Sequence, residues 1–274
     1  MGTKSVSSLI ASLSDSTPLC SLALPGTHDT MTSACEHPYY QTQNLSLAEQ
    51  LEQGVRFLDI RLRASMVAAH RKWVSDITAE SILRELREHL ERNPGDVVLV
   101  RFQNANEAKD DFVEYGHALL PLIEANRDLF WNPCTQAGAT RWPALGEVRG
   151  KVIAFECTPA EFGLTRLHGE PWAVAWHGNP GIALQDDWDG PAVQSKLSQI
   201  VEFYRGGGNP EALVLNHVSA TNGVLGNPIA YADKLNPQVL AMLGQGGGRG
   251  VLIFDFIDTE IIDAVWRATL RGVS

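Results

Sequence analysis

The 274-residue chain has no apolar run approaching the roughly 20 residues that span a bilayer, which excludes an ordinary transmembrane helix. It is short of basic residues: 22 Lys and Arg stand against 32 Asp and Glu, a formal charge of −10. A nucleic-acid partner wants a basic face, so none is expected, and a purely electrostatic grip on an anionic membrane is disfavoured on the same ground. Cysteine is scarce and without metal-like spacing. Cys20, Cys35, Cys134 and Cys157 are expected to be free and structural, with a Cys20–Cys35 bridge if the protein is exported. Met1 to Asp15 is Ser-rich and weakly apolar, lacking the apolar core of a secretory leader. The expected location is the cytoplasm, or outside the cell with a leader removed. The two triple-glycine runs lack the Lys-Ser/Thr or the helix start of a phosphate loop and read as turns. No repeat or linker divides the chain, so one monomeric domain over residues 1–274 is expected, with 1–18 as a lead-in. Its 44% hydrophobic content is ample for a single core.

What is present is an alternation of strand-like and helix-like stretches. Leu22 to Leu24 reads as a buried strand stopped by Pro25-Gly26. Ser46-Leu47-Ala48-Glu49 is a capping box that opens a helix ending at Gly54. Val55 to Arg63 and Val67 to His70 read as strands. Thr78 to Arg92 is an amphipathic helix with Ile82, Leu86 and Leu90 on one face. A strand over Val97 to Gln103, a helix from about Asp110 to Asn126 and a strand over Lys151 to Phe155 follow. A short strand lies around Ala173 to Trp176, with a loop through Asp189. Pro191 to Tyr204 reads as helix, Ala212 to Asn216 as strand, and Asn236-Pro237 as the cap and first residue of the next helix. Val251 to Phe254 and Thr259 to Leu270 complete the pattern. Strand–helix–strand repetition implies parallel strands with right-handed crossovers, and the expected fold is a single irregular α/β barrel of the TIM type.

His28, Asp29, Arg61, His70 and Asp255 each fall at or just beyond the end of an expected strand. In a parallel barrel those ends meet on one face. Two imidazoles, two carboxylates and a guanidinium there supply an acid–base pair around a bound anion. One histidine takes a proton from a nucleophilic hydroxyl, a carboxylate fixes its tautomer, and the other protonates a leaving oxygen. Arginine grips the phosphoryl oxygens between them. The plainer alternatives are a capped turn at Asp29 and Thr30 and an internal Asp–Arg pair for Asp59. His177 and His217 lie near strand ends, while His37, His89, His117 and His168 read as loop or helix-surface residues. Trp131, Trp142 and Trp266 read as packing.

With these residues in place the chain resembles the bacterial-type phosphatidylinositol-specific phospholipases C and their fungal relatives. The resemblance is carried by Leu24 to Thr30, Gly54 to Arg61 and Val67 to His70. Supporting pieces follow in family order at Leu145 to Lys151, Leu184 to Trp188, Leu213 to Ala220 and Val251 to Asp255. It implies cleavage through a cyclic inositol phosphodiester, with His28 as general base oriented by Asp255. Arg61 then contacts phosphate, and His70 with Asp29 is the general acid. In the calcium-dependent branch the position matching Arg61 is a carboxylate and that matching Asp29 is Asn, so a metal-independent enzyme without a cofactor is implied.

The departures from the family concern the substrate. Inositol-binding members place basic residues on two middle strands, where this chain has Gln103 and either Glu156 or Cys157, with Arg101 as a substitute for one of them. Asp186 and Trp188 match the carboxylate and stacking aromatic of a ring-binding wall. His70-Arg71 replaces the usual His-Gly. The loops matching membrane-docking segments, Ala34 to Asn44 and Thr221 to Ile229, hold Tyr39, Tyr40, Val224 and Leu225 but no tryptophan, which implies weak, transient membrane contact. The expected partner is a phosphatidylinositol-like headgroup or a related small molecule. Alternatives are the same acid–base pair on another, non-phosphorylated substrate, or a non-catalytic binding protein. An Arg61 free of counter-charge favours phosphate; an Arg61 neutralised by Glu156 or Asp29 favours the other substrate.

Overall fold

The computed structural model describes residues 7–106, 111–136, 138–206 and 208–272. In chain order its principal elements begin with helix α1 (Ser7–Ser12), β1 (Ala23–Thr27), α2 (Leu47–Gln53), β2 (Phe57–Leu62), β3 (Val67–His70) and β4 (Trp73–Thr78). Then come α3 (Ala79–Arg92), β5 (Val97–Asn104), α4 (Phe112–Ala125), β6 (Lys151–Glu156), β7 (Val174–Ala175) and β8 (Ile182–Gln185). The chain closes with α5 (Val193–Tyr204), β9 (Leu213–His217), α6 (Pro228–Gly244), β10 (Gly250–Phe254) and α7 (Thr259–Gly272). Eight parallel strands form one curled sheet in the order β7-β6-β5-β2-β1-β10-β9-β8. Helices cover its outer face, so β1, β9 and β10 are buried along their whole length. The end strands β7 and β8 follow each other in the chain with no ladder between them among the described residues. The barrel is open at that seam. Its interior is filled across the gap by Trp176, which contacts Phe57 and His217.

Several local expectations are corrected. β1 runs through Pro25-Gly26 to Thr27, because Gly26 lets β2 approach: a Cβ there would sit 2.9 Å from that of Phe57. The residues before α3 form a further strand, β4, antiparallel to β3. Arg71 takes the left-handed backbone (φ 54°) in the β3–β4 turn, where the family's glycine would be at ease, so the hairpin keeps its shape. The loop expected after Trp176 contains β8, a strand only four residues long. The helix expected from Asp110 starts at Phe112, and Asp110 itself lies outside the described residues. The helix expected to begin at Pro237, capped by Asn236, begins nine residues earlier, at Pro228. Asn227-Pro228 supplies the same cap chemistry, the Asn227 side chain accepting from the Ala230 amide at 2.9 Å. Pro237 sits inside that helix, and Asn236 donates to the Asp255 carbonyl at 3.0 Å, bracing the turn that carries Asp255.

Two buried polar sites lie outside the cavity. Away from the strand C-termini, Arg56 holds Asp96 through two contacts of 2.9 and 2.6 Å, and His89 adds a third at 3.0 Å. His89 is 2% exposed, not a surface residue: the last turns of α3 press it onto Asp96. Glu156 also departs from expectation, since it does not line a cavity. Alternation along β6 turns Phe155 and Cys157 inward. Glu156, in register with Phe102, faces outward, its carboxyl capped by the Thr158 amide and hydroxyl at 2.9 and 2.6 Å. Burial lifts it to about 7 against those hydrogen bonds.

Replacing Arg56 by Met strands the Asp96 charge and is expected to cost about 3–5 kcal/mol in denaturant unfolding, with Arg56→Met/Asp96→Asn costing less than the sum of its parts. For Glu156 the folded protein keeps a proton that the unfolded chain releases near its ordinary value. Stability therefore falls as pH rises through that window, by about 1.4 kcal/mol per unit. Glu156→Gln is expected to melt above the wild type at about pH 8, with the gap closing toward about pH 4.

Candidate active site

Every strand of the barrel delivers a polar side chain to its C-terminal face. His28 and Asp29 follow β1, Arg61 lies near the end of β2, and Arg101 and Gln103 lie on β5. Cys157, His177 and Asp186 follow β6, β7 and β8, while His217 ends β9 and Asp255 follows β10. The antiparallel excursion β3 adds His70. Two of the turns need unusual backbone: Asp29 and Phe256, next to Asp255, take φ of 43° and 49°. Asp tolerates this region better than most residues, and it is the left-handed turn that folds the Asp29 carboxylate back under the histidines. Thr27 and Thr30 bond each other at 2.8 Å, and the Thr30 hydroxyl accepts the Asp59 amide at 2.8 Å, tying the turn to β2.

All five residues singled out from the sequence as acid–base and anion groups come together. Asp255 Oδ1 lies 2.7 Å from His28 Nδ1, which donates to it and leaves the Nε2 lone pair facing inward. Arg61 Nη2 is 2.7 Å from that Nε2 and occupies it as a donor. Asp29 Oδ1 is 2.7 Å from Arg61 Nε, while its Oδ2 is 3.2 Å from His28 Nε2 and 3.1 Å from His70 Nε2. These are ion-pair distances without hydrogen-bond alignment, so the carboxylate is shared among three partners and committed to none. His70 Nδ1 donates to the Tyr40 carbonyl at 2.8 Å, which leaves Nε2 as the position for a second proton.

The electrostatics follow from burial and these pairs. Burial lowers the proton affinity of His28, but Asp29 and Asp255 outweigh it, and the net shift is upward. For His70 burial prevails over Asp29 and the shift is downward. Burial raises Asp255, partly countered by His28. Asp59 is driven far below the usual carboxylate range, since Arg61 and Arg101 overcome its burial. Burial would discharge Arg61, but Asp29 and Asp59 keep it charged.

Arg61 is thus not free of counter-charge. Asp59 contacts it at 3.0 Å beside Asp29. His28, Asp29 and Asp59 each bring a ligand-type atom within 4.8 Å of one another. The Arg61 guanidinium already lies against all three, so this donor set surrounds a built-in cation.

Above the cluster opens a cavity of about 770 Å³. Arg101 and Gln103 line it as expected, together with Asp186 and, 44% exposed at the rim, Trp188. Cys157, not Glu156, represents β6. The Arg101 guanidinium stacks 4.2 Å from the Trp176 ring centroid, and its Nε donates to Cys157 Sγ at 3.0 Å. Among the described residues the lining carries Arg61, Arg71, Lys72 and Arg101 against the single carboxylate of Asp186. The other acidic groups, Asp29, Asp59 and Asp255, are buried behind the wall. Tyr39 and Trp188 are exposed in the lining, Val224 and Ile229 are exposed in the segment that carries lining residues Thr221 and Pro228, and no helix among the described residues is long and apolar enough to cross a membrane. All four cysteines are free. Sequence reasoning missed Trp176 and the Tyr40 carbonyl. A tryptophan just after a two-residue strand carries no motif, and a backbone acceptor carries no sequence signal at all.

The family described as PI-PLC X matches residues 18–153. Among curated proteins, the 1-phosphatidylinositol phosphodiesterase of Listeria monocytogenes is 30% identical over 265 residues, covering 92% of this chain and 82% of its own. Human PI-PLC X domain-containing protein 1 is 26% identical over 261 residues, covering 80% and 74% respectively. The solved structure of the phosphatidylinositol-specific phospholipase C from Listeria monocytogenes superposes with a TM-score of 0.85 at 26% identity, over 97% of this chain and 99% of that one. A structure of the Staphylococcus aureus enzyme gives 0.75 at 20% identity, over 95% and 99%, a likeness of fold. With a relative of this similarity aligned along nearly the whole barrel, the chain belongs to the phosphatidylinositol-specific phospholipase C family.

Proposed function

We propose that the protein is a metal-independent phosphodiesterase and lyase acting on phosphatidylinositol-type lipids. The observation that carries the proposal is the bridging of both histidines and Arg61 by one carboxylate, Asp29, at the floor of a cavity whose wall is cationic in an acidic protein. In the first step His28 Nε2 takes the proton of the inositol hydroxyl next to the phosphate, and the freed oxygen attacks phosphorus. Asp255 holds the His28 tautomer and stabilises the imidazolium that forms. Arg61 leaves Nε2 for the phosphoryl oxygens, where charge builds up. The bond from phosphorus to the glycerol oxygen breaks, and His70 Nε2 gives that oxygen its proton. Diacylglycerol departs and a cyclic inositol phosphodiester remains. Water then opens the ring with the two histidines in exchanged roles.

A second proposal is favoured by the pairing of Arg61 with Asp29 and Asp59 and by Gln103 and Cys157 standing where basic residues were expected. It keeps the same acid–base pair but applies it to another small molecule without a phosphate. The pairing weighs less than it first suggests, because Asp29 is shared with two imidazoles and turns to His70 once Arg61 moves to the substrate. The apolar rim of Tyr39, Val224 and Ile229 fits brief contact with a lipid surface.

Turnover of phosphatidylinositol micelles is expected to survive EDTA and to fall about 10²–10⁴-fold in His28→Ala. A folded wild type that leaves phosphatidylinositol untouched supports the second proposal instead. Because His28 is shifted up and His70 down, only a minority of the free protein holds a neutral base and a charged acid together, and kcat/KM is expected to follow a narrow bell. Asp29→Asn removes the charge that supports protonation of both imidazoles, so the whole bell should move to lower pH as turnover drops. An unmoved profile would show that Asp29 does not couple them.

A further inference from the structure

The cavity wall contains polar groups for which this chemistry has no use. His217, at the end of β9, is only 1% exposed yet lines the cavity. Its Nδ1 is 3.1 Å from Ser219 Oγ and 3.7 Å from Asp186 Oδ1, whereas its Nε2 is buried without any hydrogen-bond partner. The ring stands edge-on to His28 on one side and to Trp176 on the other, with centroids 5.9 and 6.2 Å away. A buried polar atom without a partner is costly enough that proteins seldom keep one. Burial drives the imidazole down to about 3 despite the nearby Asp186, so it is neutral and carries one N–H and one lone pair. With the N–H on Nδ1, donating to Ser219 Oγ with the Asp186 carboxylate 3.7 Å beyond, Nε2 is left as an acceptor.

The same wall repeats this character. Gln103 Oε1 is a second buried acceptor without a partner, and the partly exposed Asp186 carboxylate adds acceptor oxygens to the same wall. A further phosphate would bring only more acceptors and leave His217 Nε2 and Gln103 Oε1 unsatisfied. Hydroxyl groups bring the donors they lack. The part of the substrate held here is therefore uncharged and rich in hydroxyls, which fits the ring of a cyclitol headgroup beside the phosphate held at Arg61.

We infer that His217 is a specificity-determining residue that accepts, through Nε2, a hydrogen bond from a ring hydroxyl near the one deprotonated by His28. The inference rests on the phospholipase C-type activity proposed above and adds the contact by which the headgroup is chosen. His177, exposed at the mouth, has no comparable enclosure and takes no part in it.

The test compares wild type, His217→Phe and His217→Gln on phosphatidylinositol and on analogues lacking one ring hydroxyl each. Phe keeps the packing against Trp176 and removes both nitrogens; Gln restores an acceptor near Nε2. The wild type should lose about tenfold or more in kcat/KM on one analogue. His217→Phe should show a KM raised by a similar factor on the natural headgroup and no penalty on that one analogue. His217→Gln should recover part of both effects. A wild-type KM and analogue pattern in His217→Phe overturns the inference, as does an equal loss on every analogue. Where the Phe variant melts too low to assay, the histidine ¹⁵N resonances of the wild type titrated with myo-inositol decide: a shifted His217 Nε2 supports the contact and an unmoved one overturns it. A wild type that binds myo-inositol through His217 but does not cleave phosphatidylinositol overturns the proposed activity while keeping the contact.

Discussion

A carboxylate with almost no water around it must find its partners in the protein, and Asp29 has three: the Arg61 guanidinium and the imidazoles of His28 and His70. An ionised group left alone in such a place is so costly that it neutralises instead. The arrangement therefore holds only where strand ends from different parts of the chain converge, since no single segment can bring two histidines and an arginine to one oxygen pair. The left-handed Asp29 backbone, the Thr27–Thr30 bond and the Asp59 amide on Thr30 all serve that convergence. The opposed shifts of the two histidines follow from it. His28 sees two carboxylates and gains proton affinity, whereas His70 sees one carboxylate and a carbonyl, and loses it to burial.

The barrel uses charge in two different ways at its two ends. At the end away from the cavity, two arginine contacts and an imidazole meet on the Asp96 carboxylate, and Arg56 Nη1 donates to the Leu51 and Val55 carbonyls. Arg149 does similar work on backbone, donating to Ile10, Leu13 and Gly95 carbonyls and so fastening α1 to the loop before β5. At the cavity end the partners are misaligned or missing: neither Asp29 oxygen has an aligned hydrogen bond, and His217 Nε2 and Gln103 Oε1 have none. Satisfied charge stabilises one conformation, and unsatisfied groups are available to a ligand. That difference in satisfaction, more than the residue types, distinguishes the Arg56–Asp96 cluster from the Asp29 cluster.

It also explains what was legible in the chain before any coordinates. The grouping of His28, Asp29, Arg61, His70 and Asp255 was accessible because parallel strands turn sequence position at a strand end into proximity in space. The long periodic helices and the capping box at Ser46 were accessible for similarly local reasons. His89 and Glu156 were misplaced because their surroundings are tertiary. One lies on a helix whose last turns fold onto Asp96, and the other on a strand whose inward parity depends on its register with β5. The start of α6 was misjudged because Asn227-Pro228 and Asn236-Pro237 are the same signal twice, and only packing chooses between them. β8 was overlooked because four residues are too few to show a period, and it borders the open seam where the usual helix between strands is absent.

The seam and the altered wall belong together. Residues two apart on a strand share a face, so Arg101 projects into the same interior as Gln103 but from about 7 Å deeper in the barrel. A cation placed there needs an aromatic floor and a small acceptor beside it, and finds both: Trp176, which fills the gap between the unpaired end strands, and Cys157, whose thiol accepts the Arg101 Nε–H. A larger basic side chain at position 157 would compete with Arg101 for Trp176 and for Asp59, which Arg101 approaches at 3.7 Å. The exchange of charge toward the interior leaves this part of the lining to Gln103, Cys157 and Thr158, neutral groups in a cavity of about 770 Å³ whose exposed lining still carries Arg71 and Lys72. For the chemistry proposed above, recognition of the ring on that part of the wall passes from ion pairing toward a match of hydroxyls with acceptors.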